Sequence, residues 1–332
     1  MGERLVQLAH GGGGTMTAEL IDVVREYVGN PVLDRLEDSA CVELSGRTAF
    51  TSDSFVVSPL EFPGGDIGRL AVTGTVNDLA VMGATPKYLS LSLVIEEGLS
   101  FALLRRLLGS VKATAEEAGI LVVCGDTKVV ERGKADGIFI TTSGLGQIPD
   151  GVDISVHHAA PGDAVIVSGE IGLHGVAVMA AREGLGFATA AISDVAPLNE
   201  MLKPLVQELD VHAMRDPTRG GCAAALHEIA AASDVTIALD EAALPIPPVV
   251  EGACSILGTD PLEMPNEGKV LILLPEEQAL RAVALFKPHR YGKCASKIGR
   301  VTEKGSFPVT LRTALGERLV DVPRGELLPR IC

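Results

Sequence analysis

Five aspartates stand apart from one another along this chain: Asp38 in LEDSA, Asp53 in TSDSF, Asp78 in TVNDLA, Asp126 in CGDTK and Asp216 in RDPTRGG. A hard cation such as Mg²⁺ takes carboxylate and phosphate oxygens together, so dispersed aspartates at the ends of elements suit a nucleotide–metal site. Each alone is equally suited to capping a helix or forming a turn. Two glycine-rich stretches, His10–Gly14 and Gly220–Gly221 after Arg219, allow backbone N–H groups to approach a phosphate. Neither matches GxxxxGK[ST] or GxGxxG, and the ordinary reading is a loop and a turn. Lys128 follows the GDT sequence as a turn, and Glu267 lies in PNEGKV just before an expected strand, both at a sheet edge.

The last residue is a cysteine, Cys332 in LPRIC. At about 3.3 Å per residue, a tail starting at Pro323 carries its thiol roughly 30 Å. That is enough to serve an internal site and a partner protein in turn. A prenylated cysteine stands four residues from the end, so lipidation does not account for it. The bland alternative is a frayed terminus.

The elements that position these residues can be read from periodicity. Leu20, Ile21, Val24 and Val28 share one face of a helix capped by Thr17. Thr48–Val57 and Tyr88–Ile95 alternate as strands around a helix of 67–82 that Gly83 ends, and Ser100 opens a helix over Phe101–Ala118 closed by Gly119. Strands Ile120–Cys124 and Gly137–Ile148 complete the first half. Pro149–Pro161 reads as a connector. In the second half, strands are expected at 163–168, 236–239, 269–274, 297–302 and 307–311, with helices near 173–183, 195–209, 220–232 and 276–286. The order lacks a strict βαβ rhythm, which predicts an α+β fold of mixed sheets with helices on one face. The implied domains are 1–155, 156–323 and a mobile tail over 324–332.

Composition narrows the function. The net charge of −15 repels a phosphate backbone, and aromatic residues at 3% with no Trp leave little to stack on bases. The longest apolar runs are strand-sized, short of the roughly 20 residues of a membrane span. The first residues lack a basic region followed by an apolar one, so a cytoplasmic protein is expected. The six cysteines form no CxxC pair, which argues against a zinc ribbon or a disulfide framework. The five internal ones are expected to be small buried hydrophobes.

Taken together, the motifs AHGGGG at 9–14, the run from TSDSF at 51 to GATP at 86, GDTKVV at 125–130, RDPTRGG at 215–221, PNEGK at 265–269 and the terminal PRIC resemble one family. It is the HypE family of [NiFe]-hydrogenase maturation factors, in the superfamily of aminoimidazole ribonucleotide synthetase and selenophosphate synthetase. The resemblance spans essentially the whole chain. It implies the two-domain PurM/AIRS-like fold, a homodimer formed by the sheets of the N-terminal halves, and ATP held near that interface. It also implies Mg²⁺ ligands at Asp38, Asp53, Asp78 and Asp126, and cofactor contacts at Asp53, Asn77, Asp78, Asp126, Thr127, Asp216, Gly11, Gly12 and Gly13. The implied reaction is ATP-dependent dehydration of a carbamoyl group on Cys332 to a thiocyanate. The HypF carbamoyltransferase would load the group, and a HypC–HypD complex would receive cyanide for the hydrogenase iron. In that scheme Lys128 supplies positive charge and Glu267 is the base for an N–H proton. Two other readings stand beside it. One is a sister kinase acting on a small molecule such as selenide or thiamine phosphate, for which Cys332 is dispensable. The other is a non-catalytic thiol carrier gated by ATP.

Overall fold

The computed structural model describes residues 4–12, 14–183, 191–322, 328 and 330–332. The N-terminal half runs α1 (Thr15–Val28), β1 (Thr48–Phe55), a short hairpin of β2 (Glu61–Phe62) and β3 (Gly65–Asp66), α2 (Ile67–Val81), β4 (Thr85–Glu96), α3 (Phe101–Ala118), β5 (Leu121–Val130) and β6 (Ile138–Gln147). Its four-stranded sheet has the order β1-β6-β4-β5. β6 pairs antiparallel with both β1 and β4, whereas β5 pairs parallel with β4 across the α3 crossover. One sheet face carries α2 and α3. On the other, exposed Ser52 bonds half-buried Ser143 at 2.8 Å and exposed Ser54 bonds half-buried Thr141 at 2.9 Å, and no described helix of the chain covers them.

Local chemistry sets the two helices. The Ser100 hydroxyl accepts the Leu103 N–H at 3.1 Å and starts α3; Gly119, at φ 66°, ends it in the left-handed conformation that a Cβ would penalise. Between them Leu104, Leu107, Leu108, Val111, Ala115 and Ala118 form the buried stripe. α2 is buried nearly all round because it lies between its sheet, α3 and the second half. Small residues permit this: a Cβ on Gly68 would stand 2.3 Å from the Leu107 carbonyl oxygen. α1 begins three residues earlier than expected, with Gly14 rather than Thr17 at its N-cap.

The C-terminal half runs β7 (Asp163–Val167), α4 (Leu173–Glu183), α5 (Asn199–Glu208), β8 (Ala213–Arg215), α6 (Gly221–Ser233), β9 (Thr236–Asp240), α7 (Pro248–Leu257), β10 (Leu271–Pro275), α8 (Ala279–Phe286), β11 (Ser296–Thr302), β12 (Val309–Thr313) and β13 (Gly316–Leu319). Its seven-stranded sheet has the order β13-β12-β9-β11-β7-β10-β8. Every residue of β7 is buried, because Val165 and Val167 pack under α6 while Ala164 and Ile166 pack under α5 and α8. Helices therefore cover one face of the first sheet and both faces of the second. That extra layer is the reason the central strands of the second sheet read as continuous apolar runs rather than as alternation.

Three differences from the sequence reading have clear causes. GDTK is the middle of β5, since pairing with β4 extends that strand well past Cys124. Short β8 and β13 give too little pattern to find, and α7 opens in a proline-rich stretch that reads as loop. Among the five internal cysteines only Cys222 and Cys254 are buried; Cys41 and Cys294 lie in exposed loops and Cys124 is half-buried.

The two halves share a core. Val178 and Val195 of the second half, together with Ile331 of the tail, join the apolar cluster of the first.

Candidate functional site

A cavity of about 570 Å³ opens between the halves, and Asp53, Asp78, Asp216, Arg219, Glu267 and Cys332 all line it. β1 contributes by alternation: Thr51 and Asp53, two apart, face α2. Helical spacing on α2 places Gly74 and Asp78 one turn apart on the facing side. The Thr51 hydroxyl donates to Asp78 Oδ2 at 2.7 Å. From the second half come Asp216–Arg219, the approach to the N-terminus of α6, where Gly220 adopts φ 76°. That helix end and Arg219 offer positive potential at the cavity wall.

Negative charge dominates the cavity. Burial and then the neighbouring Asp216 and Asp53 carboxylates push Asp78 up to about 7. Burial also lifts Asp216 to about 6, against the pull of Arg215. Glu267, 3% exposed, is held well above the ordinary carboxylate range by burial and by Asp216, Asp194 and Asp53. Its Oε1 is buried without a hydrogen-bond partner. Such a group is costly to bury unless a ligand completes it.

Glu267 is held by its backbone. Its N–H donates to Asp194 Oδ1 at 3.2 Å, and its carbonyl accepts from Asn77 Nδ2 at 3.3 Å. Asn77 also donates to the Ala196 carbonyl at 3.1 Å and accepts the Leu198 N–H at 2.8 Å. The Asn77 amide is thus committed to joining the halves beneath Glu267, and it does not line the cavity. Gly268 lets the chain before β10 pass close to Asp194, whose carbonyl oxygen would lie 1.8 Å from any added Cβ.

The remaining residues singled out from sequence lie elsewhere. Gly11, Asp38, Asp126, Thr127 and Lys128 line a second cavity of about 460 Å³, between α1, the loop that follows it and β5. Lys128 Nζ sits 2.7 Å from the Asp126 carboxylate and holds that carboxyl below its usual range. Gly11 packs against Val129, and Gly12 caps the short 3₁₀ turn of Leu8–Gly11. Gly13 lies outside the described residues. Within one chain, therefore, Lys128 and Glu267 do not meet, and Asp38 and Asp126 do not share a cavity with Asp53 and Asp78. Sequence reasoning left Thr51 aside and quoted Arg219 only for the glycines after it. Both stand beside motif residues, which is the signal they carried.

Residues 36–148 match the family described as AIR synthase related protein, N-terminal domain, and residues 160–312 match its C-terminal domain. A carbamoyl dehydratase HypE from Bradyrhizobium diazoefficiens is 47% identical, covering 98% of this chain and 96% of that protein. The chain belongs to the HypE family. The HypE carbamoyl dehydratase of Escherichia coli is 44% identical over 98% of this chain and 99% of its own. Among solved structures, a HypE in complex with ATP superposes with a TM-score of 0.95 at 44% identity, covering 98% of this chain and 99% of that one. The corresponding chain of a HypE–HypF complex superposes at 0.81, with 44% identity over 93% and 100%. A thiamine-monophosphate kinase at 21% identity and a TM-score of 0.68 shares the fold. Like the HypE structures, this chain has the two-domain PurM-like arrangement of mixed sheets and helices. Among the described residues no helix is long and apolar enough to cross a membrane.

Proposed function

We propose that this protein is a carbamoyl dehydratase that acts in the cytoplasm on its own C-terminal thiol. The observation that carries this reading is the shared cavity: Cys332, Glu267 with its unpartnered Oε1, and three aspartates line one space. In the reaction, the carbamoyl oxygen on the Cys332 sulfur attacks the γ-phosphorus of ATP, ADP departs, and one N–H proton is lost. Loss of the second N–H proton then expels phosphate and leaves S–C≡N. Glu267, whose basicity is raised by burial and the neighbouring carboxylates, accepts the proton from nitrogen in its ionised form. Arg219 and the α6 N-terminus face the phosphates.

The carboxylates suit a divalent cation. Among the described residues no three ligating side chains form a ready-made cage. Mg²⁺ commonly takes one or two carboxylates and completes its shell with water and phosphate oxygens, so Asp53 and Asp78, with Asp216 nearby, fit that pattern. The ion would neutralise phosphate charge there.

The second cavity enters through a second copy. β1 and β5 are the edges of the first sheet, its hydroxyl-bearing face is open, and Phe50 is 68% exposed beside it. Two such sheets face to face form a homodimer in which Lys128 and Asp126 of one chain serve the Cys332 cavity of the other. HypF, present with HypE in a solved complex, loads the thiol, and a HypC–HypD complex receives the cyanide.

The test is the intact mass of the purified protein after incubation with its carbamoyltransferase, carbamoyl phosphate and Mg–ATP. Wild type gains a carbamoyl group and then loses water; Cys332→Ala does neither. An unmodified Cys332 under these conditions refutes the reading and favours a small-molecule kinase.

A further inference from the structure

The end of the chain is docked. The Val56 N–H donates to the Cys332 carbonyl at 3.1 Å, and the Ser58 N–H donates to the Arg330 carbonyl at 3.2 Å. The tail is therefore anchored at two points on the segment following β1, and Arg330, at φ 54°, turns the chain between them. The amides of that segment take the Arg330 and Cys332 oxygens and leave the Ile331 carbonyl to α4.

There His174 meets it. The ring is fully buried, with Nε2 2.9 Å from the Ile331 oxygen and Nδ1 2.8 Å from Ser193 Oγ. Ser193 Oγ already accepts the Val195 N–H at 3.1 Å, so its own proton goes to Nδ1. That assigns the imidazole proton to Nε2, where it donates to Ile331. The Phe62 ring stands edge-on at 5.4 Å and 89° and fixes the imidazole plane. Two turns along α4, Arg182 Nη2 donates to the Arg330 carbonyl at 2.8 Å and to the Ser58 carbonyl at 2.8 Å.

We propose that His174 is a positioning residue that sets the register of the docked tail, and with it the place of Cys332 in the cavity. A shift of the tail by one residue would take the Ile331 carbonyl off His174 and draw the Ile331 side chain, 2% exposed, out of the core. His174 belongs to the second half and Val56–Ser58 to the first, so the tail registers only while the halves are closed on each other. The importance of this for catalysis rests on the dehydratase reading, but the docking itself does not.

The chain carries its own controls for a test by site-resolved iodoacetamide labelling of the full-length protein without nucleotide or carbamoyl donor. Cys41 and Cys294 are exposed references; Cys222 and Cys254 are buried reporters of general loosening. His174→Phe should raise the rate at Cys332 relative to Cys294 by about tenfold, the effect of losing one buried hydrogen bond. Cys222 and Cys254 should stay as slow as in wild type. His174→Gln, which retains an N–H donor, should recover much of the protection. An unchanged Cys332 rate in His174→Phe overturns the proposal, as does a rise that Cys222 and Cys254 share. Should His174→Phe fail to fold, Ser193→Ala removes only the hydroxyl that fixes the tautomer, and there too the Cys332 rate must rise or the proposal fails. Because labelling needs neither ATP nor a partner, its outcome is independent of the mass experiment above.

Discussion

Replacing Asp78 by Asn removes one charge from the carboxylate cavity while keeping the shape and an oxygen for the Thr51 hydroxyl. In the wild type, burial and the Asp216 and Asp53 charges lift Asp78 from its ordinary 3.8 to about 7. Between those two pH values the unfolded chain has released the proton and the folded chain still holds it. Stability from this group is thus complete below the lower value and is lost as pH rises through the upper one. Each pH unit is worth about 1.4 kcal/mol, so the loss reaches about 4 kcal/mol at most. Asp78→Asn has no such proton to release. The two proteins should be nearly equally stable near pH 4, and the variant should gain on the wild type up to about pH 7, then level off. Since the chain has no Trp, urea unfolding followed by far-ultraviolet circular dichroism is the assay. A difference that stays flat from about pH 4 to about pH 8, or that favours the wild type as pH rises, would refute the electrostatic account. Mg–ATP at the alkaline end should stabilise the wild type more than the variant.

Glu267→Gln should load carbamoyl on Cys332 and fail to dehydrate it, read as a mass that stops before the loss of water. Asn77→Ala removes three hydrogen bonds between the halves and should cost about 3 kcal/mol in urea unfolding; a neutral result would mean solvent replaces them. Gly268→Ala forces a Cβ to 1.8 Å from the Asp194 oxygen, so on the order of 1–3 kcal/mol of stability and most of the dehydration should be lost, the latter checked by the same mass assay. Lys128→Ala and Glu267→Gln, each inactive alone, should recover up to about a quarter of wild-type turnover once their subunits are exchanged, because a mixed dimer keeps one intact site. No recovery after verified exchange would place Lys128 in its own chain's site or in none.

Much of this was legible from sequence wherever local forces decide. α3 could be placed to the residue because Ser100, the apolar stripe and Gly119 each act within a turn or two, and the fold class followed from the order of such elements. The aspartates and Glu267 stood out because carboxylates beside glycine and proline turns are chemically conspicuous. Sequence could not sort them into cavities. Asp53 and Asp126 occupy strands at opposite edges of one sheet, and only strand order separates them. Nor could it find His174, a lone histidine at the start of an apolar helix whose partner is a carbonyl 157 residues away. Residue types and spacing determined which groups this chain has for chemistry. The packing of two halves around α2 decided which of them meet, which are desolvated enough to hold a proton, and where the terminal thiol comes to rest.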